Sequence, residues 1–140
     1  MYRKQLSFVC LGKTTMVMLR VGYYQNGRIA IELLQEGLYG LEPFVRVTVN
    51  LLAAAPLEAN EAFIDNTPIG DDILRFIKEN SLGKELSVPY EGYKAVAFNM
   101  DKLYEYDPDG VTAFMLRQFR LWYLRTQKDG DDLWTSIAAP

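Results

Sequence analysis

Gly12-Lys13-Thr14 ends as a phosphate-binding loop ends. The full pattern needs a glycine five residues before Gly12, where Ser7 stands, and small residues between, where Phe8-Val9-Cys10-Leu11 stand. It also needs a helix afterwards, and residues 14–24 are β-branched and aromatic. These residues are therefore expected to form a tight turn between two strands. Glu105-x-Asp107-x-Asp109-Gly110 copies the first half of a calcium loop, but Leu116 occupies the position of its bidentate glutamate. An acidic turn capping a helix, with Asp109 as cap, explains the same residues. Cys10 is the single cysteine, so an internal disulfide and a multi-cysteine zinc site are excluded. With no histidine in the chain to activate it, Cys10 reads as a small buried hydrophobe. Glu58, Glu61 and Asp65 are the densest carboxylates available for acid–base work. A hydrolase would need Glu61 and Asp65 to converge in a cleft. No complete catalytic or metal motif is present, so the expectation is a non-enzyme without metal or cofactor.

The stretch 111–127 joins aromatics to arginines. On a helical wheel Met115, Leu116, Phe119, Trp122 and Tyr123 share one face, with Arg117, Arg120 and Lys128 opposite. The first reading of that face is core packing and the second is a protein interface. The third is a nucleic-acid platform, with Arg117, Arg120, Arg125 and Lys128 on phosphates and an aromatic stacked on a base. Charge frames the choice. Residues 57–109 carry net −7, and residues 110–128 carry four bases and no acid. Only the latter offers a footprint for an anionic partner, and the simplest account is that it faces the acidic middle of its own fold.

These residues need a scaffold, and periodicity supplies one. Hydrophobic residues make up 49% of the chain and charged ones 24%, a globular balance that rules out disorder as the main state. Strands are expected at 6–11, 14–24, 28–35, 44–51, 61–65, 86–98 and 103–106. In 44–51, Val45, Val47, Val49 and Leu51 are expected inward and Thr48 outward. Asn26-Gly27 predicts a two-residue type I′ hairpin that sets Tyr24 opposite Ile29 and Arg20 opposite Leu33. Both faces of that hairpin would then be largely apolar. A helix is expected over 68–82, capped by Thr67 with Pro68 in its first turn and Gly83 as a left-handed stop. The longest helix is expected over 111–127. Residues 129–140 read as an acidic tail, with Trp134 its one large anchor. No run is long and apolar enough to span a membrane, and no export signal is read at the N-terminus.

Asn60-Glu61-Ala62-Phe63-Ile64-Asp65, a helix ending in Leu82-Gly83, then Gly92-Tyr93 and Leu103-Tyr104-Glu105-Tyr106-Asp107 carry a resemblance. Val47-Thr48-Val49-Asn50-Leu51 and the Asn26-Gly27 hairpin add to it. Over residues 16–107 the chain resembles a bacterial family of small soluble proteins of unknown function, found mainly in gut Bacteroidetes and Firmicutes and often tied to conjugative and other mobile elements. The resemblance implies an α+β fold and a bacterial, cytoplasmic, mobile-element setting. It supplies no catalytic or binding residue, and the C-terminal helix extends beyond it.

The sequence thus predicts one α+β domain over 1–128, a mostly antiparallel sheet of about five or six strands with two packed helices. Its expected role is a non-catalytic accessory domain that binds a protein partner or its own copy through Phe119, Arg120, Trp122 and Tyr123. The alternative is a DNA-processing factor that touches nucleic acid through Arg117, Arg120, Arg125 and Lys128.

Overall fold

The computed structural model describes residues 4–54 and 57–138, with side chains described for all of these except 88, 89 and 128–138. Lys128 and Trp134 therefore lie outside the described side chains. The fold is α+β and mostly sheet. The strands are β1 (Leu6–Cys10), β2 (Lys13–Tyr23), β3 (Ile29–Gly37), β4 (Gly40–Arg46), β5 (Thr48–Val49), β6 (Glu61–Ile64), β7 (Gly83–Tyr90) and β8 (Tyr93–Phe98). The helices are α1 (Gly70–Glu79), α2 (Met100–Tyr106) and α3 (Pro108–Ala138). Two antiparallel sheets run β1-β2-β3-β4 and β5-β6-β8-β7. The strand and helix numbers exceed the expected five or six and two. Short strands such as β5 pair through only two residues and leave almost no periodic trace.

One chain segment joins the sheets. Val47 N–H donates to the Ile31 carbonyl (2.9 Å), and the Val47 carbonyl accepts from Asp65 N–H (3.1 Å). Next to it, Thr48 Oγ1 accepts from Ile31 N–H (3.0 Å) and also meets the Tyr24 hydroxyl. Thr48 is thus fully buried, where alternation predicts it outward. The chain kinks here as it passes from β4 to β5, and the side-chain oxygen takes the ladder's place. Val49 and Leu51 accordingly pack in a second, smaller cluster around Phe63 and Ala95. The main core gathers Phe8, Val17, Leu19, Ile31, Leu33, Val45, Ile73, Phe76, Val96, Leu103 and Phe114 from both sheets and all three helices.

The β2–β3 hairpin departs from its predicted register. Tyr24 N–H donates to the Arg28 carbonyl (2.8 Å) and Gly27 N–H to the Tyr24 carbonyl (2.8 Å), which encloses three residues, Gln25–Gly27. Of these only Gly27 has positive φ, +88°. That is a type I turn closed by a left-handed glycine, rather than the type I′ turn that would twist both Asn26 and Gly27. The register moves by one residue, so Leu19 faces Leu33, Val21 faces Ile31 and Arg20 faces Glu32. A one-residue slip exchanges which side chains share a face. One face becomes uniformly apolar, and the other carries an Arg20–Glu32 ion pair and the small Gly22–Ala30 pair. The hairpin is therefore not apolar on both sides. Two-residue turns with two positive φ values occur instead at Leu11-Gly12, between β1 and β2, and at Glu91-Gly92, between β7 and β8.

Three smaller expectations also fail. Residues 103–106 are helical, because Asn99 caps α2 by accepting from Lys102 N–H (3.2 Å) and Leu103 points into the core. Helix α1 starts at Gly70 with Ile69 at its cap and no side-chain cap bond, so Thr67 does not cap it. Asp65 instead accepts from Thr67 N–H (2.9 Å) in the preceding turn. The left-handed residue after α1 is Ser81 (φ 55°) rather than Gly83. Gly83 is needed for another reason: a Cβ there would lie 2.6 Å from Val96 Cγ1 and 2.8 Å from the Ala97 carbonyl.

Candidate functional site

Helix α3 is positioned by its first turn. Asp107 is 1% exposed and ends α2 while capping α3. Its carboxylate accepts from Gly110 N–H (3.2 Å), and Pro108 fills the first helical position, where a missing N–H costs nothing. The cap is thus Asp107 and not the expected Asp109. The second carboxylate oxygen accepts from Val21 N–H (2.8 Å), a buried bond to the part of β2 that lies beyond the reach of β1. The α2–α3 corner is thereby pinned onto the β2 backbone. The helix then lies along the hairpin. Val111 and Phe114 enter the core. Arg117 donates to the Gln25 carbonyl (3.2 Å) and stacks over Tyr23, 5.5 Å from its ring centroid. Gln118 donates to the Gly27 carbonyl, and Leu121 presses on Gly27, where a Cβ would come within 2.5 Å of its Cδ1.

That contact line fixes what the opposite side presents. Phe114, Gln118 and Leu121 recur at helical spacing toward the domain. Met115, Leu116, Phe119, Trp122 and Tyr123 recur at the same spacing on a stripe centred about 130° around the helix from them. Phe114 is 1% exposed, whereas Phe119 is 60% and Trp122 51% exposed. The core-packing reading of the aromatic face is therefore overturned: the sheet packs against the other side of the helix. Phe119 holds the face together, tilted against Trp122 (5.7 Å between centroids) and stacked on Tyr123 (6.3 Å).

The basic residues divide. Arg117, expected opposite the aromatics and free for phosphate, is spent on Tyr23 and Gln25, with its Nε sheltered from solvent. Arg120 and Arg125 are exposed. Two of the four bases named for nucleic acid thus stand on described open surface. Sequence reasoning missed Arg117's role because its partners come from a hairpin more than ninety positions away.

The remaining candidates do not assemble. Glu61 opens β6 and Asp65 directly follows it, four residues on along extended chain and roughly 13 Å away. Glu61 accepts from Glu58 N–H (3.0 Å), and Asp65 is occupied with Thr67. Glu105 pairs with Lys102 (3.5 Å), and Asp107 is committed to the corner. Among the described residues, no three potential metal ligands gather. Cys10 is partly buried against the core. A shallow cavity of about 260 Å³ lies beside the α1 N-terminus, lined by Asp65, Thr67, Asp71 and Lys94. No helix among the described residues is long and apolar enough to cross a membrane.

No significant match emerges among curated proteins or among solved structures. A family model does match, over residues 18–118, from within β2 to the middle of the stretch of α3 that lies on the hairpin. Phe119, Trp122 and Tyr123 lie just past that limit. The matched segment spans most of both sheets and the Asp107 corner, and by it the chain belongs to the DUF4313 family, a domain of unknown function.

Proposed function

We propose that this protein is a non-catalytic interaction domain whose contact element is the outward face of α3, centred on Phe119, Arg120, Trp122 and Tyr123. The observation that carries the reading is the exposure of a contiguous aromatic stripe on a helix whose opposite side is locked to its own fold. An apolar patch of this kind on a soluble surface marks a contact site. Aromatic residues beside arginine are also the composition favoured in interface centres. A bacterial, cytoplasmic setting linked to mobile elements belongs to the same proposal and rests on the sequence resemblance. Nucleic-acid binding is disfavoured by the capture of Arg117 within the fold.

A photo-crosslinking amino acid at position 119, introduced in producing cells, tests the reading. A polypeptide adduct at 119, missing when the crosslinker is moved to position 20 on the outer sheet face, is the expected result. An adduct to nucleic acid, or none at all, overturns it.

A further inference from the structure

We infer that the occupant of the α3 face is a second copy of the same chain, packed antiparallel about a two-fold axis through Phe119. This rests on the interaction reading above and identifies its partner.

The face is complementary to itself. Residues 115 and 123 lie four positions either side of Phe119, and residues 116 and 122 lie three. An antiparallel two-fold through Phe119 therefore sets Met115 over Tyr123 and Leu116 over Trp122, with Phe119 against its own mate. Each half offers flexible aliphatic side chains to flat aromatic ones, a pairing in which methionine sulfur meets a ring and leucine fills between. In an isologous interface one patch must satisfy itself in this way. A parallel arrangement would set Trp122 on Trp122 and Met115 on Met115 instead.

The five side chains, each about half exposed, present roughly 550 Å² per copy, so their complete burial would cover on the order of 1,100 Å² in all. That reaches the approximate lower limit of about 1,000 Å² for a specific interface. Nothing else of the described chain reaches this face, since the contacts of α3 with β2 and the hairpin lie on its other side.

The test uses the full chain. Light scattering at rising concentration should show twice the monomer mass. Phe119→Asp, at an exposed position that leaves the fold intact by circular dichroism, should raise the dimer dissociation constant roughly a hundredfold by placing two charges on the axis. In a Cys10→Ser background, Met115→Cys mixed with Tyr123→Cys should form a disulfide between the two variants, while neither should link to itself. A monomer at every concentration overturns the second-copy inference. The interaction reading then stands if the crosslinker at 119 still captures a different polypeptide. A dimer unaffected by Phe119→Asp, or one that links 115 to 115 and 123 to 123, also overturns the inference.

Discussion

Replacing Asp107 with alanine would release the corner from which α3 is aimed. Two bonds disappear together. The Val21 N–H, donor in a 2.8 Å buried bond, loses a carboxylate acceptor, and among the described residues no β1 partner lies opposite it to replace the bond. A charge-assisted bond of this kind contributes about 1.5–3 kcal/mol, and stranding the donor makes the upper half of that range appropriate. The Gly110 N–H loses its cap, at about 1 kcal/mol. The expected loss is therefore about 3–4 kcal/mol, a large share of the ~5–15 kcal/mol that stabilises a typical domain. At about 3 °C per kcal/mol for a chain of this size, the melting temperature should fall by roughly 10 °C. Urea unfolding gives the stability change, and hydrogen exchange at the Val21 amide localises it. Asp107→Asn keeps one acceptor but turns an amide donor toward the other N–H, so it should recover part of the loss and no more. If Asp107→Ala costs less than about 0.5 kcal/mol, the level of an unremarkable surface change, the corner does not hold the helix. Unchanged protection at Val21 leads to the same conclusion.

Gly110→Ala should destabilise the protein although alanine normally favours a helix by about 1 kcal/mol, because its Cβ would land on the Val21 carbonyl and the Asp107 carboxylate; a rise in stability in urea would contradict the packing. Phe114→Ala should cost about 3–5 kcal/mol while Phe119→Ala changes monomer stability by less than about 0.5 kcal/mol, and equal losses in thermal unfolding of dilute protein would erase the distinction between the two faces of α3. Thr48→Val should cost about 1–3 kcal/mol because Ile31 N–H loses its acceptor in the core, and exchange at the Ile31 amide should quicken. Gly27→Ala should loosen α3 from the hairpin, combining about 1–2 kcal/mol of left-handed strain with displacement of Leu121, which faster exchange at residues 117–121 would reveal.

How legible each part was depended on the range of the interaction behind it. The strand character of residues 6–11 and 14–24 and the tight turn between them follow from neighbours in sequence, and they stand in the structure. The hairpin loop is one residue longer than Asn26-Gly27 alone implies. Asn-Gly suits a type I′ turn locally, but the three-residue form puts Leu19 and Val21 on the same face as Leu33 and Ile31. Register is settled by which pairing buries the apolar set, and that depends on partners the hairpin does not contain. Leu103-Tyr104-Glu105-Tyr106 looks like a strand by composition and is helical because Asn99 caps it and Leu103 fills a core slot.

The sequence by itself determined the α+β class, the aromatic stripe at helical spacing and the separation of an acidic middle from a basic helix, because periodicity and charge are properties of the order of residues. It could not determine which side of α3 would be covered. Phe114 and Phe119 are the same residue type on one helix, and their fates were decided by a carboxylate at 107 that docks on Val21 and a glycine at 27 that admits Leu121. Those contacts join positions more than eighty residues apart, so the helix's orientation exists only once both partners are in place.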